Sequence, residues 1–331
     1  MPANLTPQYL DAEQRFRGAR STAEKVVCLE EMLRIIPKHK GTDRMREDLR
    51  RRLAKLKSES QKAAGQRGYT VQVDKEGAGQ IVMLGPPNVG KSALLAALTK
   101  ATPEVADYPF TTRKPMPGMV LFENVQMQLV DMPPLCRDYM EPWVSQIART
   151  ADALLLVVDL SDANVLEAVE LLTELLQTWK ILPVAQALSS EEDADLDSSI
   201  VPLRTLLVGN KADMPESLEN WEVLQELYGE RWPMLAVSVT TGHHLERLRH
   251  ELYILLDIIR VYTKAPGKKP ERDAPFTLPC GSTVVEVAAA VHKDFAERLK
   301  FARIWGGEKY DGQMVQRTYE VQDGDIIELH I

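Results

Sequence analysis

The chain has little cysteine and no long apolar run. Its 331 residues include three cysteines, Cys28, Cys136 and Cys280, widely spaced and in no Cys-x-x-Cys pair. Neither a disulfide framework nor a zinc site is suggested, and a reducing, cytoplasmic compartment is the simplest expectation. The longest apolar stretch, Ala153 to Val158, has the length of a strand and is far too short to cross a bilayer. The N-terminal residues are polar and carry no signal-peptide core, so no membrane partner is expected. Aromatic residues make up 6% of the chain, and none falls between Lys38 and Arg67, where eleven Lys and Arg stand against four Asp and Glu. That absence argues against a surface that stacks single-stranded bases. Two readings of the basic run stay open, an RNA contact or a solvated helix face. The net charge of −8 makes the rest of the chain strongly acidic.

What is present begins with Gly85-Pro86-Pro87-Asn88-Val89-Gly90-Lys91-Ser92, an unbroken G-x-x-x-x-G-K-[ST] directly after the apolar run Ile81–Leu84. In such a loop the backbone N–H groups point at phosphate oxygens, and Pro87 to Ala93 are the expected nucleotide-binding residues. Lys91 reaches the β- and γ-phosphates and Ser92 ligates Mg²⁺. A helix starting at Lys91 adds its positive dipole end.

Around this loop, short apolar runs alternate with helical stretches from Gln80 to about Lys264. That pattern predicts an α/β fold with a mostly parallel sheet covered by helices on both faces. Residues 1–66 read as a basic helical segment with helices over 9–20, 22–36 and 42–63. Leu49, Leu53 and Leu56 form an apolar stripe on the last of these. Tyr69–Val73 reads as an extra strand, and 67–265 as the nucleotide domain. Pro266-Gly267-Lys268-Lys269-Pro270 reads as a linker over 266–273. Residues 274–331 then form a small unit whose strand, helix and strand order suits a β-grasp. An acidic, Ser-rich segment around 186–200 reads as a mobile insertion.

Asn210-Lys211-Ala212-Asp213 follows the strand Leu206–Val208. Guanine presents N1–H and N2–H₂ donors side by side, and the Asp213 carboxylate accepts both. Adenine presents an acceptor there and leaves the charge unpaired. Ser238-Val239-Thr240, in the loop after the next strand, adds backbone and hydroxyl groups near the base. Otherwise it is an ordinary polar loop.

With these residues in place, the chain resembles the Obg superfamily of GTPases, and within it the developmentally regulated GTP-binding (DRG) proteins. The resemblance rests on Gly85–Ser92, Ala106–Thr112, Asp131-Met132-Pro133 and Asn210–Asp213. It also rests on a C-terminal block, including Gly281–Val284 and Phe301–Gly306, that looks like a TGS domain. It implies binding of GTP and GDP with Mg²⁺, the metal shell being Ser92, Asp131 through a water, and Thr111 or Thr112 of switch I. Lys91, Thr111, Thr112 and Asp131 are then the expected catalytic set. Asn88 either helps bind K⁺ against the phosphates or is a turn residue. Arg113 is either a charge donor in cis or solvated. The family also implies a ribosome or RNA partner, or a protein partner, met through the basic helices and the TGS domain.

Switch II departs from the family pattern D-x-P-G, reading Asp131-Met132-Pro133-Pro134-Leu135. Pro134 has no N–H for a γ-phosphate, and Leu135 stands where Ras-like enzymes carry a water-orienting glutamine. The expectation is therefore nucleotide binding with hydrolysis slow, partner-dependent or absent. The competing reading is a pseudo-GTPase adaptor. A metabolic phosphate-loop kinase is disfavoured by Asp213.

Overall fold

The computed structural model describes residues 32, 49, 51, 71–99, 114–136, 141–188, 196–265, 267–268, 270, 274–306 and 311–331. The chain divides into one unit of Met1–Val71 and another of Gln72–Ile331. In the first, Met32 and Leu49 are helical and buried, while Arg51 is helical and exposed. The remainder of the helices expected there lies outside the described residues. The extra strand expected over Tyr69–Val73 is not formed at residues 71–73, which are irregular.

In the second unit, seven strands build the larger sheet: β1 (Gln80–Leu84), β2 (Met116–Phe122), β3 (Val125–Asp131), β4 (Ala153–Asp159), β5 (Ile181–Val184), β6 (Val201–Asn210) and β7 (Met234–Ala236). Their order is β2-β3-β1-β4-β6, and β5 and β7 share the outer edge of β6. Of the pairings, β2 with β3 is antiparallel and the rest are parallel. Among the described residues five helices accompany the sheet: α1 (Lys91–Leu98), α2 (Pro142–Thr150), α3 (Val165–Thr178), α4 (Ser217–Tyr228) and α5 (Leu245–Leu256). β1 and β4 are buried on both faces, as parallel strands between helix layers must be. Leu94, Leu95 and Leu98 of α1 and Leu248, Leu252, Leu255 and Leu256 of α5 close one face over Ile81, Met83, Leu155 and Val157. Each such leucine taken from water contributes about 1.5–3 kcal/mol. α3 packs against β4 and β5. The alternation of runs and helices thus positions α1, β3, β4 and β6 so that their functional ends meet along one edge.

β5 and the first residues of β6 occupy the flanks of the stretch read as an acidic insertion. Residues 189–195 of that stretch lie outside the described residues. Pro183 is tolerated in β5 because the strand pairs on one side only, with β6.

The second sheet has the order β11-β10-β12-β8-β9, from β8 (Ile258–Thr263), β9 (Phe276–Pro279), β10 (Phe301–Trp305), β11 (Gln313–Val315) and β12 (Asp325–His330). α6 (Val284–Val291) and α7 (Lys293–Arg298) complete it, with Val284, Val287 and Ala288 of α6 packed on Val261, Ala302, Ile304 and Ile327. A capping box starts α6, in which the Thr283 N–H and Oγ1 donate to Glu286 Oε2 at 2.6 and 2.8 Å. The boundary expected at 266–273 is corrected here. β8 pairs parallel to β12 and antiparallel to β9, so the C-terminal module begins at Ile258 and the Pro- and Gly-containing segment is the loop between its first two strands.

Arg260 of β8 joins the two sheets. Its Nε and Nη2 donate to Asp323 Oδ1 and Oδ2 at 3.0 and 2.7 Å, Nη1 pairs with Glu123 in the β2–β3 turn, and the guanidinium lies 5.2 Å from the Tyr253 ring centroid. Asn124 of the same turn donates to the Tyr262 hydroxyl at 2.8 Å. The hydrogen bond to Asp323 and that to Glu123, working against burial, raise the Arg260 pKa further. Burial, reinforced by the Asp323 charge, pushes the Tyr253 phenol up to about 12.

Candidate functional site

The phosphate loop is held at both ends by close approaches that only glycine permits. A Cβ on Gly85 would stand 2.3 Å from the Val157 carbonyl oxygen of β4. Gly90 has φ +90 and serves as N-cap of α1, and a Cβ there would stand 2.4 Å from Asn210 Nδ2. Between them, Pro87 and Asn88 are exposed while Val89 is buried in the core beneath. Asn88 sits at φ 64, a conformation asparagine tolerates better than most residues, which suits a turn position. Ser92 and Ala93 are exposed at the start of the helix, so the first-turn amides of α1 open outward. Lys91 Nζ is buried and donates to the Gly85 and Pro86 carbonyls, both at 2.8 Å, which holds the ammonium across the loop.

Asp131, the last residue of β3, comes to the same place, and Ser92 Oγ donates to its Oδ2 at 2.5 Å. A hydroxyl and a carboxylate side by side make an oxygen-only donor set that fits Mg²⁺. Beyond Asp131 the chain runs along the phosphate loop. Leu135 N–H donates to the Gly85 carbonyl at 3.1 Å, so that carbonyl accepts from both switch II and Lys91. The Leu135 side chain is buried, turned into the protein rather than out toward the loop's open side. Pro134, half-buried beside it, presents no donor. Thr111, Thr112 and Arg113 lie outside the described residues.

The Asn210–Asp213 loop meets the phosphate loop through Asn210. Its Nδ2 donates to the Val89 carbonyl at 2.9 Å, and its buried Oδ1 has no hydrogen-bond partner among the described residues. Lys211 follows at φ 63, with its ammonium paired to Asp159 at the end of β4. Ala212 N–H donates to the Val237 carbonyl at 3.0 Å, and Asp213 is exposed beyond it. Ser238 is fully buried and its Oγ accepts from Thr241 N–H at 3.2 Å. The hydroxyl thereby shapes its own loop, leaving the half-buried Val239 and the exposed Thr240 toward the rim.

Asp159 and Ser161 belong to this site and escaped the sequence reading. Ser161 donates from its N–H and Oγ to Asp159 Oδ1 at 2.9 and 2.7 Å. Burial works to raise the Asp159 pKa, but the bonds from Lys211 and Ser161 outweigh it and hold the carboxyl below its usual range. The signal in the chain was an Asp closing an otherwise apolar strand, Leu154-Leu155-Leu156-Val157-Val158-Asp159.

The arrangement brings the Gly85–Ser92 loop, the Ser92 and Asp131 oxygen pair and the Asn210–Asp213 loop to one edge of a mostly parallel sheet. Comparison with known families shows what it is similar to. Residues 80–187 match the family described as 50S ribosome-binding GTPase, and residues 259–331 match the TGS domain. Residues 80–187 thus carry a GTPase-family domain and residues 259–331 a TGS domain. The chain is 28% identical to an uncharacterised GTP-binding protein of Methanocaldococcus jannaschii, over 93% of its own length and 92% of that protein. Human developmentally-regulated GTP-binding protein 2 is 26% identical over 92% of this chain and 98% of that one. A solved GTP binding protein from Pyrococcus horikoshii superposes with a TM-score of 0.52 at 15% identity, covering 76% of this chain and 99% of that structure, which shows a shared fold. The TGS match begins at the second residue of β8, in agreement with the boundary drawn by strand pairing.

Proposed function

We propose that this chain is a guanine-nucleotide-binding regulatory protein of the DRG type, taking GTP and GDP with Mg²⁺ in the cytoplasm. The observation that carries the reading is Asn210. Its amide ties the base loop to the phosphate loop, so one ligand holding both a guanine edge and a phosphate chain satisfies the two loops together. Asp213 supplies the carboxylate for N1–H and N2–H₂, Val239 and Thr240 border the base, and the amides of Val89 to Ala93 with Lys91 take the phosphates. Ser92 and Asp131 would hold Mg²⁺, with Thr111 or Thr112 completing its shell. When bound, the ion supplies neutralisation of the β- and γ-phosphate charge. Asn88 is the candidate K⁺ contact.

Hydrolysis is weak or partner-dependent in this reading. Pro134 offers no amide to a γ-phosphate, and Leu135 turns its side chain inward and commits its amide to Gly85. That same pair of residues favours the second reading, a nucleotide-binding adaptor without turnover. A ribosome or RNA-bearing partner, engaged through the basic run of residues 38–67 and the TGS domain, completes the proposal.

Titration with labelled GDP and ADP in Mg²⁺ tests the binding claim, and equal affinity for the two would refute guanine selection. Single-turnover hydrolysis with and without ribosomes, in Na⁺ and in K⁺, separates the two readings. Absence of phosphate release under every condition leaves the adaptor, and its restoration by Pro134→Gly locates the cause.

A further inference from the structure

Asp159 faces the base loop from a neighbouring strand, and resting on the guanine-nucleotide reading above, we infer that it is a positioning residue that sets base specificity. β4 and β6 run parallel in register, with Asp159 beside Asn210. Lys211 is therefore the first residue past the paired strands. It takes a left-handed conformation, φ 63, that costs a lysine about 1–2 kcal/mol unless its surroundings impose it. Asp159 is among the groups that impose it. One carboxylate oxygen is fixed by the N–H and hydroxyl of Ser161, and the other receives the Lys211 ammonium. The Leu160 N–H donates to the Asn210 carbonyl at 2.9 Å, closing the same corner.

The consequence is electrostatic. Lys211 and Asp213 stand two residues apart on one loop. A released ammonium on a flexible four-carbon stem would be a competing partner for the Asp213 carboxylate, which must stay ionised and unpaired to accept from guanine N1–H and N2–H₂. By holding the ammonium on the β4 side, Asp159 keeps Asp213 available and lays the lysine stem across the loop. The side-chain exposure of Asp159, 14%, against 37% for Lys211, fits a fixed anchor and a partly solvated tether. Among the described residues Asp213 carries no other cation to hold it.

The test compares GDP with IDP, which lacks the 2-amino donor, by displacement of labelled GDP from the full-length chain. For the wild type, one hydrogen bond to a charged acceptor predicts about 10–100-fold preference for GDP. Asp159→Asn frees the ammonium, and the GDP to IDP ratio falls by about tenfold. Adding Lys211→Met to Asp159→Asn removes the competing charge and recovers most of the ratio. A general loosening of the site would instead weaken GDP and IDP by the same factor and would not be rescued, and either finding overturns the assignment. Should Asp159→Asn fail to fold, Ser161→Ala keeps both charges, removes the 2.7 Å hydroxyl bond, and lowers the ratio by about threefold. An unchanged ratio there overturns the assignment equally. A wild type that binds neither nucleotide removes the guanine reading and this inference together. A wild type that binds GDP selectively while Asp159→Asn leaves its ratio intact removes this inference alone.

Discussion

Gly90→Ala tests how tightly the two loops of the site are joined. Two costs combine at this position. An alanine at φ +90 carries left-handed strain of about 1–2 kcal/mol. Its Cβ would also lie 2.4 Å from Asn210 Nδ2, well inside van der Waals contact, so the amide must leave and the Val89 carbonyl loses its 2.9 Å donor. Leaving that acceptor unmatched costs about 1–3 kcal/mol more. Gly242 provides the control. It has φ +77, and a Cβ there would meet nothing within 4 Å, so Gly242→Ala carries the strain alone. Urea unfolding followed by tryptophan fluorescence should place Gly90→Ala about 1–3 kcal/mol below Gly242→Ala, from midpoints at unchanged slope. GDP affinity should drop at least about tenfold in Gly90→Ala, since loop and base contacts shift together. If the two variants unfold within about 0.5 kcal/mol of each other, the size of ordinary surface substitutions, the Asn210 contact is not holding the loops and the reasoning fails.

Three further outcomes are expected. Arg260→Ala should destabilise the C-terminal module by about 2–3 kcal/mol, reduced from the buried-pair range because Asp323 and Glu123 are partly solvated, and Arg260→Lys should recover little since lysine cannot pair bidentately. Equal stability of the lysine variant and wild type in urea would contradict this. Tyr253 should titrate near 12 in the ultraviolet difference spectrum between wild type and Tyr253→Phe. Its folded pKa is raised above the ordinary value of about 10, so its contribution is intact below about pH 10 and is lost as pH rises through about 12, and a midpoint at the ordinary value would refute its burial against Asp323. Ser92→Ala should abolish the Mg²⁺ dependence of binding of a GTP analogue, measured by titration with and without chelator, while leaving Asp213-dependent choice of base unchanged.

Where local pattern and tertiary role coincide, the chain could be read directly. The phosphate loop, α1, α3 and α5 follow from glycine placement and helical spacing that no long-range contact overrides. Asn210, Lys211 and Asp213 could be singled out because the expected motif is written in consecutive residues. Asp159 could not, since it is brought beside Asn210 only by parallel pairing between strands far apart in the chain. β5 was hidden by Pro183, which discourages a strand reading except at an edge. α7 and β11 are too short to show a period. β8 was misassigned for a different reason. Ile258-Ile259-Arg260-Val261-Tyr262-Thr263 follows α5 so closely, and Pro266-Gly267 so much resembles a domain seam, that composition pointed to the wrong border.

That strand changes how the molecule can be taken apart. A protease acting on the loop after β8 would cut the backbone at the place that looks like a hinge. The upstream fragment would still carry β8, hydrogen-bonded between β9 and β12 of the downstream fragment, with Arg260 gripping Asp323 across the break. Such a nicked protein should migrate as two bands under denaturing conditions and as one particle in native buffer. Fragments expressed from that cut would each lack part of a sheet, whereas a division at Asp257 gives each sheet all of its own strands.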